Sequence, residues 1–193
     1  MTYKYSAKEK FDLPESPSNK IPMCVGYYLS DPLCTFKIQK GPYKNQTFYF
    51  YFGESFCFGI DKMLNSIFSN AILLDSLGSS GKNQKIEAIV LPEISSGNIL
   101  LPMTKFKDIE MLIRIKYTVI DNNKNVLWID DIQGEGITHW NKKFLLSSWN
   151  PPLMIYRAIT QQKSDMVKCM RLTLEDHFKN AYSSFINSKF WTN

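Results

Sequence analysis

The sequence is poor in the residue types that most site chemistry draws on. Arginine occurs only at Arg114, Arg157 and Arg171, and histidine only at His139 and His177. The four cysteines, Cys24, Cys34, Cys57 and Cys169, are dispersed, with no Cys-x-x-Cys pair. A structural zinc site therefore has no recognisable ligand set. Scarce arginine also argues against a nucleic-acid reader, because bidentate phosphate and guanine contacts favour it. The 23 basic residues are scattered, no run being longer than Lys142-Lys143, so the net charge of +5 forms no basic stripe. No apolar run approaches the roughly 18 to 20 residues of a membrane-spanning helix. Met1 to Lys20 has no apolar core of a secretory signal. Phosphate-cradling glycine loops, Gly-x-Ser-x-Gly elbows, His-Glu-x-x-His helices and internal repeats are all missing. These absences predict a protein that is not an enzyme and needs no cofactor.

What remains is an ordinary globular composition. The 193 residues are 44% hydrophobic, 14% aromatic and 21% charged, enough for one domain with a sizeable core. Such numbers exclude a disordered chain, a collagen-like repeat and a coiled-coil rod. Leu13-Pro14-Glu15-Ser16-Pro17-Ser18-Asn19-Lys20 reads as a linker, so residues 1–20 are expected to be a flexible tether and 21–193 a single α/β domain. Two readings of this start stand side by side: a ragged cytosolic N-terminus, or a mature form whose signal has been replaced by a starting Met. Asn45-Gln46-Thr47 matches a glycosylation sequon, a triplet that arises often by chance.

Along the chain, Ile21 to Leu29 reads as a strand, followed by a turn at Ser30-Asp31-Pro32. Thr35–Gln39 and Gln46–Phe52 read as a hairpin, and its aromatic arm Phe48 to Phe52 is expected to be a core strand rather than a base-stacking platform. Phe56, Ile60, Met63, Leu64, Ile67 and Phe68 recur at helical spacing, with Glu54, Asp61, Lys62 and Asn65 opposite. Ala71–Leu74 follows as a short strand, and Ile86–Leu91 as a buried one that Pro92 should stop. From Glu110 to Ile120 apolar and polar residues alternate strictly, and Val126–Asp130 returns as the partner strand. Gln133-Gly134-Glu135-Gly136 is expected to bend that arm at a bulge. The last 44 residues read as helical from Pro151, with a break near Gln161-Gln162-Lys163 or one long helix. The resulting fold class is α/β (α+β): a two-layer sandwich, its mixed, mainly antiparallel sheet carrying helices on one face.

Few constellations carry chemistry. Asp130, Asp131 and Glu135, with His139 four residues on, can do acid–base work or hold a metal, as in a hydrolase-type enzyme; the competing reading is a solvated strand end. His177 lies among Glu175, Asp176 and Lys179 and is expected on a helix surface. Cys24 and Cys34 can meet as a disulfide in an oxidising compartment, while Cys57 and Cys169 read as buried free thiols. Trp128, Trp140, Trp149 and Trp191 fall near element ends, where such residues serve partner-binding surfaces or cap small cores.

One resemblance adds to this reading. Ile21-Pro22-Met23-Cys24-Val25-Gly26-Tyr27-Tyr28 is followed by an aromatic strand running into the Gly-led helix Phe52-Gly53-Glu54 to Phe68. Then come Ile89-Val90-Leu91-Pro92-Glu93-Ile94, an alternating hairpin over Tyr117 to Trp128, a Gly-x-Gly bend and C-terminal helices. This order, over about residues 20 to 185, resembles the α/β module of bacterial outer-membrane and periplasmic secretion- or transport-auxiliary lipoproteins. It is distantly similar to the curli-secretion lipoprotein and to the N-terminal domain of the Tol-system propeller protein. The lipid-bearing cysteine of such proteins is absent near the start. The resemblance implies a non-catalytic scaffold of a cell-envelope complex, periplasmic and associated with the outer membrane. Its partners would be proteins, with a membrane contact through a lipidated tether, homo-oligomers allowed and no nucleic acid. A hydrolase using Asp130, Asp131, Glu135 and His139, or a basic nucleic-acid-binding module, is the alternative.

Overall fold

The computed structural model describes residues 2–7, 11–17, 19–43, 46–77, 85–101, 108–138 and 151–192. Its most regular element follows directly from alternation. Strand β7 (Ile109–Ile120) buries Met111, Ile113, Ile115, Tyr117 and Val119 completely and turns Arg114 and Lys116 the other way. It pairs antiparallel with β8 (Val126–Thr138) on one side and β6 (Ala88–Leu100) on the other. The β7–β8 turn closes on Asp121, whose carboxylate accepts the Asn123 and Asn125 backbone N–H groups at 2.8 Å each. The Asn125 side-chain amide also donates to it, and these bonds hold the Asp121 carboxyl below the usual range. Lys124 takes the left-handed conformation (φ 65°) that lets the turn be this tight.

Strands β2 (Ile21–Tyr27) and β5 (Phe68–Leu73) extend this sheet with parallel pairings, giving the order β5-β2-β6-β7-β8. Pro92 does not end β6 as its sequence suggested. Only Ala88, Ile89 and Val90 pair with β2, so from Leu91 on β6 pairs with no strand on that side among the described residues. The Val90 carbonyl points to the β2 side, where it accepts the Tyr28 N–H. The position of Pro92 two residues later turns its missing N–H to the same, open side, where no ladder bond is lost.

The aromatic hairpin stands apart from that sheet. β3 (Lys37–Tyr43) and β4 (Gln46–Tyr51) form a second, three-stranded sheet with β1 (Thr2–Ser6), in the order β1-β4-β3. Thr2–Ser6, expected within a flexible tether, therefore pairs in parallel with β4 along its whole length. Phe11 and Leu13 also pack on the core, and the Asp12 N–H donates to Glu175. The prolines and serines that follow misdirect the reading, because strand pairing with a distant aromatic partner leaves no local signature. Between the sheets runs one buried cluster, joining Tyr5, Phe48 and Phe50 to Ile113, Phe178 and Phe185.

Among the described residues three α-helices complete the α+β sandwich. α1 (Asp31–Cys34) is a single turn where a simple turn was expected. α2 (Gly53–Ile67) buries the predicted Phe56, Ile60, Met63, Leu64 and Ile67, and its Asp61 accepts the Tyr27 hydroxyl. α3 (Pro151–Asn187) is one 37-residue helix without a break at Gln161, followed by a 3-10 turn at Lys189–Thr192. It packs on β8 and β7.

The closeness of that packing explains Gly134 and Gly136, which make no bulge. The β7–β8 register is continuous through both, and its one irregularity lies at Val119/Ile120. A Cβ on Gly134 would sit 2.4 Å from the His177 Cβ, and one on Gly136 would sit 2.4 Å from the Cys169 carbonyl oxygen. The two glycines thus form a notch for the helix backbone. From this position α3 also covers part of the β8 edge. Asp176 accepts the Glu135 N–H at 2.9 Å, and the Asn180 amide donates to the Gln133 carbonyl at 3.0 Å. An edge so capped presents a broken template to another strand.

Candidate functional site

The acidic group of β8 is the first place to look for catalysis, and its described members do not converge. Successive residues of a strand face opposite ways, so Asp130 and Asp131 are on opposite sides of the sheet. Asp130 accepts the Ser184 hydroxyl of α3, while Asp131 on the open face accepts Ser95 Oγ at 3.3 Å. Glu135 is exposed. His139 lies outside the described residues. Among the described residues no three His, Cys, Asp or Glu side chains are arranged to hold a metal ion.

His177 is fully buried, contrary to its expected place on a helix surface. The acidic neighbours in sequence suggested a polar face, but at 3.6 residues per turn they point elsewhere. Its ring stacks on Tyr117 and meets Phe56 and Phe178 edge-on, with centroids 5.9, 5.5 and 5.2 Å away. Tyr117 Oη lies 3.0 Å from His177 Nε2. Burial pushes the Tyr117 phenol well above its ordinary value and the His177 imidazole down to about 3, the Ile132 backbone opposing the latter only in part. The protonated phenol and the neutral imidazole share this hydrogen bond, and the imidazole tautomer sets which of them donates. Fully buried on all sides by described residues, this pair belongs to the core.

The tryptophans are divided. Trp191 is 9% exposed and packs on Phe68, Phe185 and Phe190, so it closes the core at the chain's end. Trp128 is half-buried against Phe185 on the α3 side of β8, whereas the exposed Val126 and Ile129 are on the other face of the sheet. Trp140 and Trp149 lie outside the described residues.

The cysteine pairing is other than the Cys24–Cys34 bridge that the sequence left open. Cys34 is joined to Cys57, with Cα atoms 5.6 Å apart, while Cys24 and Cys169 are free thiols. The bridge follows from packing: Gly53 lies against the Cys34 carbonyl, and the first turns of α2 carry Cys57 to the end of α1. Cys24 instead faces Asn70 of β5. Burial raises the Cys169 thiol to about 11, so it is a poor nucleophile. The bridge spans 23 residues. A closed loop of that size is worth about 3 kcal/mol in the chain-entropy account. Cys34→Ser/Cys57→Ser is accordingly expected to lower the urea midpoint by that equivalent, with Cys24→Ser as the neutral control.

Beside the bridge is a cavity of about 570 Å³, lined by β1, the α1–β3 corner, Tyr51 and the start of α2. The sequence reading missed this region, although a signal exists. In Phe48-Tyr49-Phe50-Tyr51-Phe52 every hydroxyl-bearing ring occupies one parity. The phenylalanines are buried, whereas Tyr49 and Tyr51 are half-exposed on the outer face of the three-stranded sheet. A second hollow, about 320 Å³, lies at the β7–β8 turn among Leu74, Leu77, Ile89 and Ile120.

No family model matches the chain, and no curated protein matches it. Solved structures similar in outline include a DUF330 protein from Xanthomonas campestris, with TM-score 0.48 and 7% identity over 95% of this chain and 97% of that one. A minor lipoprotein from Acinetobacter baumannii gives 0.46 and 10% over 86% and 92%. A PelC dodecamer from Paraburkholderia phytofirmans gives 0.38 and 11% over 85% and 97%. At these scores the likenesses carry no argument about activity or partner.

Proposed function

We propose that this chain is a non-catalytic, bacterial envelope lipoprotein domain that scaffolds a secretion or transport complex at the periplasmic side of the outer membrane. The observation that carries the reading is the Cys34–Cys57 disulfide. Such bonds persist in the periplasm and outside the cell and are rare in the cytosol. Its support is independent of the resemblance in the order of motifs. The dispersal of Asp130, Asp131 and Glu135 adds to it, since acid–base catalysis needs these groups on one side of a substrate. Docking would use Trp128, an aromatic half-buried against Phe185 near the start of β8. Homo-oligomers and anchoring through a lipidated N-terminus belong to the same proposal. No described helix is long and apolar enough to cross a membrane.

The test is fractionation of cells producing the protein from its own gene, followed by mild crosslinking and recovery from the membrane fraction. Co-purification of envelope proteins, lost or weakened at least fivefold in Trp128→Ala, is the expected result. Recovery as a cytosolic monomer in which Cys34 and Cys57 both react with maleimide under denaturing, non-reducing conditions overturns the reading.

A further inference from the structure

The outer face of the three-stranded sheet brings together two tyrosines and two lysines that the envelope reading leaves without a task. In the strand register Lys4 of β1 is opposite Tyr49, and Lys37 of β3 is opposite Tyr51, so all four side chains leave the same face. The Tyr49 and Tyr51 rings are 6.4 Å apart. Lys37 Nζ rests 5.8 and 6.0 Å from their centroids, and Lys4 and Lys37 are both exposed. At the Tyr51 end of this row opens the 570 Å³ cavity, which both lysines and Phe36 also line. That volume falls within the range of small-molecule sites.

We propose that this cavity binds a small organic anion carrying one flat ring, an aryl or nucleobase-bearing phosphate or carboxylate. The charge argument is arithmetic. Lys4 and Lys37 contribute two positive charges and Glu54, the acidic residue lining the cavity, one negative, so the lining is net positive by one. Two strand spacings separate the β1 and β3 backbones by about 10 Å. Lysine stems from both edges can close that span on a single anionic group. Phe36 and Tyr51 supply the faces on which the ring packs. The cation now lying over Tyr49 and Tyr51 is exposed, so its contact with the rings is weak and easily exchanged for a charged ligand. Two lysines in one place, and no arginine among them, suit a single charged group rather than a polyphosphate track.

The proposal stands apart from the envelope reading and is tested on the purified, disulfide-bonded chain. Phenyl phosphate, AMP, inorganic phosphate and benzyl alcohol are titrated separately while amide chemical shifts are followed. Phenyl phosphate and AMP are expected to move Lys4–Ser6, Thr35–Lys37 and Gly53–Glu54, and to bind at least tenfold more tightly than inorganic phosphate or benzyl alcohol. Lys4→Gln/Lys37→Gln should remove that advantage while leaving the thermal midpoint within a degree or two, because both side chains are exposed. Equal affinity for all four probes, shifts scattered over other surfaces, or an undiminished response in the double variant overturns it.

Discussion

Gly134→Ala/Gly136→Ala is expected to destabilise the fold by about 4 kcal/mol, taking each overpacked site at about 2. The added atoms are only two methyl groups, and the magnitude comes from what they meet. A Cβ at 136 would lie 2.4 Å from the Cys169 carbonyl oxygen and 2.8 Å from the Thr173 nitrogen, and one at 134 would lie 2.5 Å from the Thr173 carbonyl oxygen. Those are backbone atoms of α3, which cannot rotate away as a side chain can. The helix must lift from β8, opening the layer where Cys169, Thr173 and His177 are buried. Neither glycine has a positive φ, so the effect is one of clearance and not of backbone conformation. Gly97→Ala is the control: its nearest contacts are the tips of Ile38 and Phe36 at 2.9 Å, which can move. Thermal unfolding should show the double variant melting lower by ~8–16 °C, the shift that about 4 kcal/mol makes in a chain of this size, with Gly97→Ala nearly unchanged. A double variant as stable as the parent would mean that α3 does not sit in this notch.

Acid lability is the second large effect. His177 is held neutral by burial, with its pKa pushed down from 6.5 to about 3. Above pH 6.5 both the folded and the unfolded chain carry a neutral imidazole at this position, and it contributes no pH dependence. As the pH falls below 6.5 only the unfolded chain gains the proton, so stability drops by about 1.4 kcal/mol per pH unit until the folded pKa is approached. At pH 4.5 the loss reaches about 2.7 kcal/mol. Urea unfolding between pH 7 and 5.5, above the range where most carboxylates titrate, isolates the histidine. His177→Phe should remove the slope there, whatever it costs at neutral pH by leaving the Tyr117 hydroxyl without its 3.0 Å partner. His139→Gln tests the other histidine. A slope that survives His177→Phe and vanishes in His139→Gln would place the titrating group elsewhere.

Both effects arise from contacts that no local pattern announces. The paired glycines were legible as unusual, but in a strand they stand equally for a bulge or for a close approach, and only the path of α3 selects the second. The histidine was legible as a member of an amphipathic helix. Its neighbours Glu175 and Asp176 suggested the wet side, and the helical turn carries the ring to Tyr117 instead. The same holds for the candidate site. Alternation within Phe48 to Phe52 already separates two kinds of ring, yet the flanking lysines come from β1 and β3, which meet β4 only in the folded sheet.

What the amino-acid order determined by itself is everything with a short period. The strict alternation of β7, the amphipathic face of α2, the aspartate-led turn at 121–125 and the helical C-terminal stretch all follow from side-chain spacing and local hydrogen bonds. From these alone the α+β sandwich follows, because a strand with one apolar face needs a helix over it. Tertiary structure alone decided the pairings between distant segments. It set Thr2–Ser6 beside β4, Cys34 against Cys57, Pro92 on an unpaired edge and α3 in the Gly134–Gly136 notch. The reason is physical: such pairings are selected by the burial and backbone bonding of the whole assembly, and segments many residues apart carry no spacing rule that records their meeting.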